Sequence, residues 1–350
     1  MNPLAIKNLV RSTRLPLIGG VLITLVAALA FGLTVGNAAT PAPKAPVALK
    51  GTGDEAWGAN YFPNVELTDQ DGKQHRFFDD LIKGKVVSIN LIFTSCSSSC
   101  GLETARLMEV QTYLGDRLGK DVHFYSISID PLNDTPKELK SYAAKFGADL
   151  PGWRFLTGKP EDITLIRQKL GMYDDALTVD KNQSDHVLHT MLGNQATGRW
   201  MKGSPYENPE FTANQLGSWL HNYKYAAPKE TSFENAPTYV RNMSDGEKLF
   251  RHRCASCHTI DGNRYAAAQR IGPDLEHVGK RRQSQWLERW LKEPDRMLAE
   301  KDPTAVAMFN QYRKLAMPNL RLDAKDITDL LEFIAEESAL PLDARRVAVQ

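Results

Sequence analysis

Val86-Val-Ser-Ile-Asn-Leu-Ile-Phe-Thr-Ser-Cys96-Ser-Ser-Ser-Cys100 opens as a short apolar run rich in β-branched residues and closes on two cysteines four residues apart. The apolar part has the pattern of a strand buried on both faces. The helix-like run Glu103-Thr-Ala-Arg-Leu-Met-Glu-Val-Gln follows it. A helix whose first turn takes in both cysteines would put both sulfurs on one face. A thiol at a helix N-terminus also feels the positive end of the dipole, which favours thiolate. Two neighbouring thiolates can close a disulfide or bind a soft metal. At this point both remain open.

Outward from this stretch, strand and helix signals alternate from about residue 57. Asp69-Gln-Asp-Gly72 is a turn between extended segments, Val86–Phe93 a central strand, and Asp121–Ile129 a second β-rich run. Thr135-Pro136-Lys137-Glu138 predicts a helix start, with proline in the first turn and capping-box spacing. Leu139, Tyr142, Ala143 and Phe146 then fall on one face, and Gly147 ends the helix. A helix near 160–170, the segment Asp185-His-Val-Leu-His-Thr-Met-Leu192 and a helix over 212–223 complete residues 57–225. This order, with a dithiol after a central strand, points to an α/β sandwich of the thioredoxin kind. His186 and His189 are three apart, so in an extended strand only one can face the cysteines. The other, with His75, His123 and His221, reads as an ordinary surface or packed histidine.

The chain has 350 residues, a net charge of +1 and four cysteines in two close pairs, Cys96/Cys100 and Cys254/Cys257. That length suits two domains. Without a basic cluster in the body, nucleic-acid binding has no support. So few cysteines do not make a disulfide scaffold, and each pair reads as a site. Lys7, Arg11 and Arg14 lie in a basic end (1–14) before Leu15–Val35, a run of 21 residues without a charge. Such a run is long enough to cross the roughly 30 Å hydrocarbon core as a helix. Residues 15–36 are therefore read as a transmembrane anchor with the basic end cytoplasmic and the rest periplasmic, a single pass in the inner membrane. The alternative is a signal peptide cleaved near Gly36-Asn37-Ala38. Residues 37–56, rich in Ala and Pro, read as a tether.

Composition turns loop-like over 226–240, a linker to a second domain at 241–340 and a tail at 341–350. Ser244-Asp-Gly-Glu247 opens a helix that runs into Cys254-Ala-Ser-Cys257-His258. Cys-x2-Cys-His is the attachment signature of c-type haem: two thioethers to the porphyrin, with His258 binding iron from the same face. No cysteines remain for a zinc site. Met317, in Ala316-Met-Pro-Asn-Leu320, is the expected second axial ligand of this one haem, because Pro318 holds an extended stretch before the last helix. Met297 and Met308 are read as packing residues. The last helix starts near Asp323 and presents Ile327, Leu330, Leu331 and Ile334. Ile271-Gly-Pro273-Asp-Leu275 lies where a small cytochrome places its proximal loop, and 241–340 resembles a class I cytochrome c, an all-α fold. Residues 286–316, with Trp286 and Trp290, exceed what a minimal cytochrome needs and receive no role.

Four motifs in order carry a second resemblance: Phe93-Thr-Ser-Cys96-x3-Cys100, Ser128-Ile-Asp130-Pro-Leu-Asn-Asp134-Thr-Pro136, Trp153-Arg-Phe-Leu-Thr-Gly158 and Val187-Leu-His189-Thr190. Over residues 60–225 the chain resembles the Sco/SenC family of membrane-tethered, thioredoxin-like factors for the copper centre of cytochrome c oxidase. The resemblance implies one copper ion held by Cys96, Cys100 and His189. Where the family carries Pro and Asp between and just after the cysteines, this chain has Ser97, Ser98, Ser99 and Gly101. Leu188 stands where Asp precedes the histidine. Negative charge is thereby lost around the thiols.

Haem and copper each move one electron, whereas a disulfide needs two. The fusion therefore points to an anchored copper-binding assembly factor whose haem exchanges single electrons with the copper/dithiol site. Its partners would be the copper-bearing oxidase subunit or a similar respiratory protein, and a redox partner for the haem. The alternatives are a thiol–disulfide oxidoreductase with Cys96 and Cys100 as its redox-active thiols, and a plain electron carrier.

Overall fold

A computed structural model describes residues 57–97, 99–173, 189–221, 243–262, 271–345 and 347. The expected basic end, anchor and tether (1–56), His186 and the linker (226–240) lie outside the described residues. Among the described residues, no helix is long and apolar enough to cross a membrane.

Among the described residues, seven strands form one sheet in the order β2-β1-β5-β4-β3-β6-β7. They are β1 (Glu66–Asp69), β2 (Gln74–Arg76), β3 (Val86–Ile92), β4 (Val122–Ser128), β5 (Trp153–Gly158), β6 (Thr190–Asn194) and β7 (Arg199–Gly203). The interior strands β3, β4 and β5 are parallel, in register from Val86↔Val122 to Ile92↔Ser128. β6 and β1 flank them antiparallel. Every residue of β3 is buried, as expected for a strand covered on both faces. Its odd-numbered residues Val87, Ile89 and Leu91 join a core with Tyr125, Leu156 and the helix α3 (Pro160–Lys169). The opposite face packs under α1 (Cys100–Leu114) and α2 (Pro136–Phe146), with Phe124, Trp153 and Leu192.

The local signals explain α2. Thr135 Oγ1 accepts the Glu138 N–H, Leu139, Tyr142, Ala143 and Phe146 are buried, and Gly147 ends the helix at φ +71°. That left-handed turn favours glycine. The helix expected over 212–223 starts earlier. α4 (Pro209–Asn214) is capped by Asn208, continues as a wider turn through Trp219, and has proline in its first turn.

The C-terminal part is helical: α5 (Asp245–Leu249), prolonged by a wider turn to Cys254, then α6 (Val278–Arg281), α7 (Ser284–Lys292), α8 (Pro294–Ala299), α9 (Pro303–Gln311) and α10 (Ala324–Ala339). α5 and α10 cross closely because Gly246 has no side chain: a Cβ there would lie 2.0 Å from the Asp329 carbonyl oxygen. Phe250 and Phe333 meet at the crossing, with ring centroids 5.6 Å apart. The buried face of α10 is Ile327, Leu330, Phe333 and Ile334. Leu331, half-buried, packs against the same core, and Phe333 extends the buried face towards α5.

Candidate functional site

The Cys96/Cys100 loop leaves the C-terminal end of β3, the end of a parallel sheet where open α/β folds place their sites. Asp134, just beyond β4, holds its start. The Thr94 N–H and hydroxyl and the Ser128 hydroxyl all donate to the Asp134 carboxylate, at 3.1, 2.5 and 2.5 Å. Burial raises the Asp134 carboxyl above its ordinary value, against the lowering pull of these bonds.

Helix α1 begins at Cys100, not before it, so only one cysteine lies on the helix. Cys96 stays in the preceding turn, half-buried, while Cys100 is fully buried. The two carry thiols that hydrogen-bond to one another. The expected dipole effect is overturned at Cys100: burial, then the neighbouring Cys96, push its thiol well up. Desolvation of a charge outweighs the half-charge of a helix end. Thr104, one turn along, donates to the Cys100 carbonyl at 2.9 Å and meets the Tyr142 hydroxyl at 3.0 Å.

Beneath the thiols runs a buried polar thread that the sequence reading missed. Asn90 Nδ2 donates to Glu103 (3.3 Å), the Ser126 hydroxyl to Asn90 Oδ1 (2.8 Å), and the Trp153 indole N–H to Ser126 (3.0 Å). Burial pushes the Glu103 carboxyl up to about 8, with the nearby Cys96 acting in the same direction. The available signal was the i,i+3 spacing of Cys100 and Glu103 on one helix face.

His189 is exposed and immediately precedes β6. β6 pairs with β3 through Ile89↔Met191, so two more steps of that register set His189 abreast of Leu91. This is the end of β3 that leads into the cysteine loop. The structure does not bring the imidazole and the thiols together: among the described residues, no group of three or more His, Cys, Asp or Glu side chains could hold a metal. The two thiols alone suit a soft ion. His75 is an ordinary packed histidine, buried and 2.7 Å from Asp69.

Three of the four expected haem residues lie on one cleft: Cys257, His258 and Met317 line it together with Pro273, Trp290 and Tyr312. Cys254 is buried in the adjoining helical core and does not line the cleft. His258 Nδ1 lies 2.8 Å from the Pro273 carbonyl oxygen. A carbonyl only accepts, so Nδ1 carries the hydrogen and Nε2 keeps its lone pair for iron. Burial holds the imidazole below its ordinary pKa, which keeps it neutral. A Cβ at Gly272 would lie 2.7 Å from His258 Cε1, so glycine is what lets the proximal loop approach. These features fit a haem. Met297 is buried in α8 away from the cleft lining, whereas Met308 lines the cleft beside Met317. The unassigned segment 286–316 acquires a role here: α7, α8 and α9 supply Trp290, Leu298, Ala305, Met308, Phe309 and Tyr312 to the cleft wall.

The cleft and the thiol loop adjoin. Cys257, Ile271 and Leu315 pack against the same apolar cluster as Cys96 and Cys100. The Asn319 N–H donates to the Ser97 carbonyl at 3.1 Å. Arg106, nearly buried on α1, donates to the carbonyls of Glu207 (3.0 Å) and Arg251 (3.4 Å), the latter in the turn before Cys254. No local pattern announces these contacts, because both partners of each lie far apart in the chain.

Comparison with known proteins bears on both halves. The SCO1/SenC family profile matches residues 54–221, and the cytochrome c profile matches residues 243–337. The chain is similar to the SCO2-like protein of Rickettsia conorii, 31% identical over 161 residues that cover 43% of this chain and 75% of that protein. It is also similar to the SCO1 homolog of Bacillus subtilis, 39% identical over 90 residues, 26% of this chain and 45% of the relative, so it spans under half of that relative's length. Among solved structures, the cytochrome c domain of a Pseudomonas putida protein is 51% identical, covering 28% of this chain and 91% of that one, with a TM-score of 0.26. The chain therefore belongs to the SCO1/SenC family and carries a cytochrome c domain after its thioredoxin-like domain.

Proposed function

We propose that this protein is a membrane-anchored, copper-binding factor for assembly of the copper centre of a respiratory cytochrome c oxidase, and that its haem exchanges single electrons with the copper/dithiol site. Sco proteins bind copper and are linked to cytochrome c oxidase assembly. Copper is cargo here. Cys96 and Cys100 hold it by thiolate softness and His189 supplies the imidazole, leaving room for a ligand from the recipient. Cys254 and Cys257 carry one haem c, with His258 and Met317 on the iron. The haem supplies a one-electron reservoir. The residues around it hold His258 as a neutral ligand with its lone pair free, and they shelter the cleft from water. The charge pattern before and after Leu15–Val35 supports an inner-membrane anchor with the domains in the periplasm.

The observation that carries this reading is the junction beside the two sites: the Asn319 N–H donates to the carbonyl of Ser97, the residue after Cys96, and Cys257 and Leu315 pack on the extended core that includes Cys100. A one-electron neighbour suits a copper ion directly, whereas reducing a disulfide needs two electrons. Copper titration of the haem-loaded protein, with Cys96→Ser and His189→Ala beside it, tests the ligand set. Each variant is expected to bind copper at least tenfold more weakly than the parent; equal affinity would defeat the assignment.

A second reading, thiol–disulfide oxidoreductase, is favoured by the direct hydrogen bond between the thiols. It requires the metal-free protein to turn over a disulfide substrate, and a Cys100→Ser variant to trap a mixed disulfide through Cys96.

A further inference from the structure

Asn319 stands where the thiol loop and the axial-methionine segment meet. Its N–H donates to the carbonyl of Ser97, the residue after Cys96, at 3.1 Å. Its side chain is anchored on the cytochrome side: Nδ2 donates to Asp295 Oδ1 at 2.9 Å, and Oδ1 accepts the Arg321 N–H at 3.0 Å. Met317, two residues earlier, lines the cleft with His258. One hydrogen bond thus joins the backbone beside a thiol to the backbone beside the axial ligand.

The surroundings hold this segment in shape from both sides. Leu315 packs on the thiol cluster, and Arg313 Nη1 donates to the Lys145 carbonyl at the end of α2, at 2.9 Å. Arg313, Lys314 and Arg321 bracket the segment with φ of +56°, +56° and +53°, three of the five non-glycine residues with positive φ among those described. Such conformations are strained for side chains larger than glycine and persist only where their surroundings impose them. The path of 313–321 is therefore imposed by its contacts, and the thiol loop is one of them.

We propose that Asn319 is a positioning residue shared by both centres, registering the Met317 segment on the thiol loop so that the haem potential responds to whether Cys96 and Cys100 are thiols or a disulfide. This rests on Met317 being the axial ligand and makes no use of copper. Closing an S–S bond draws Cys96 and Cys100 together and moves Ser97, which lies between them. Its carbonyl takes the Asn319 amide with it, and the loop carrying Met317, which would bind the haem iron, follows. Axial ligation is among the main levers on a haem potential. Linkage makes the effect mutual: haem oxidation shifts the dithiol/disulfide equilibrium in return. In the closing step the two thiols give up two protons and two electrons to added diamide, which becomes the hydrazine, and the iron is not consumed.

The test is a spectroelectrochemical titration of the haem in the full, detergent-solubilised, copper-free protein, in its dithiol and diamide-closed forms. The Cys96→Ser/Cys100→Ser double variant serves as a form that cannot close. The parent is expected to show at least a roughly fivefold change in haem electron affinity between its two forms, about 40 mV at 59 mV per decade. The double variant should not respond to diamide. Asn319→Pro, which deletes the N–H, should remove the difference. Asn319→Ala keeps the N–H but frees the segment from Asp295 and Arg321, and should at least halve it. Equal potentials for the two parent forms, a response in the double variant, or a difference undiminished in the Asn319 variants would overturn the proposal. If Asn319→Pro fails to take up haem, Asn319→Ala decides. Failure of the copper titration would leave this result standing, whereas an unaltered haem spectrum in Met317→Ala would remove its basis.

Discussion

Glu103→Gln should change how stability depends on pH, by an amount that the burial of this side chain sets. Glu103 is 3% exposed, and burial raises its carboxyl from 4.5 to about 8. Between those values the native state holds a proton that the unfolded chain releases. Stability is therefore fully present below pH 4.5 and falls as pH rises towards 8. A displacement of roughly 3.5 pH units, at about 1.4 kcal/mol each, gives a ceiling of about 5 kcal/mol. Relaxation and water entry reduce this, and about 2 kcal/mol is a safe lower expectation. Glutamine keeps the shape, still accepts the Asn90 amide through its own carbonyl, and never ionises. Urea unfolding of the haem-loaded, copper-free parent and variant at pH 4 to 9, followed by circular dichroism, measures the difference. The two should be alike near pH 4, with the variant gaining steadily to at least about 2 kcal/mol by pH 9. A difference that stays flat within about 0.5 kcal/mol would refute the claim that this carboxyl is buried and neutral.

Other substitutions test other parts of the site. Asp134→Ala strands the Thr94 and Ser128 donors, and should cost about 1–3 kcal/mol in thermal unfolding while loosening the cysteine loop enough to weaken copper binding. Met317→Ala should alter the haem spectrum and lower the potential, whereas Met308→Ala, from the same cleft wall, should change neither ligation nor potential by much; the reverse pattern would reassign the axial ligand. Gly246→Ala would set a methyl group against the Asp329 carbonyl, so a loss of about 1–3 kcal/mol or more by denaturation is expected, with the thioredoxin-like half spared.

Much of the fold was legible because its signals are local. The apolar run at Val86–Ile92, the Thr135 cap with Gly147 at the other end, and the Cys-x2-Cys-His string each report their own structure within a few residues. The thiol site was legible in its residues but not in its electrostatics. A helix N-terminus near Cys100 suggested a thiolate, yet full burial decides otherwise, and burial is a property of packing rather than of spacing. Phe333 joined the expected face of α10 for a similar reason: Gly246 lets α5 approach from a direction that helical periodicity alone does not specify. The junction of the two centres was beyond reach. Ser97 and Asn319 are separated by most of the chain, and neither has a sequence feature that points to the other. Residues 286–316 gained a role only once their helices closed around the cleft.

The most direct test of the central claim adds one equivalent of Cu(II) to the ferrous-haem protein and follows the visible and EPR spectra together. One haem should be oxidised per copper bound, with the cupric signal lost as Cu(I) forms on the thiols. The Cys96→Ser variant should leave the haem ferrous under the same conditions. Copper bound tightly with the haem unchanged, or haem oxidised equally without Cys96, would contradict electron exchange between the two sites.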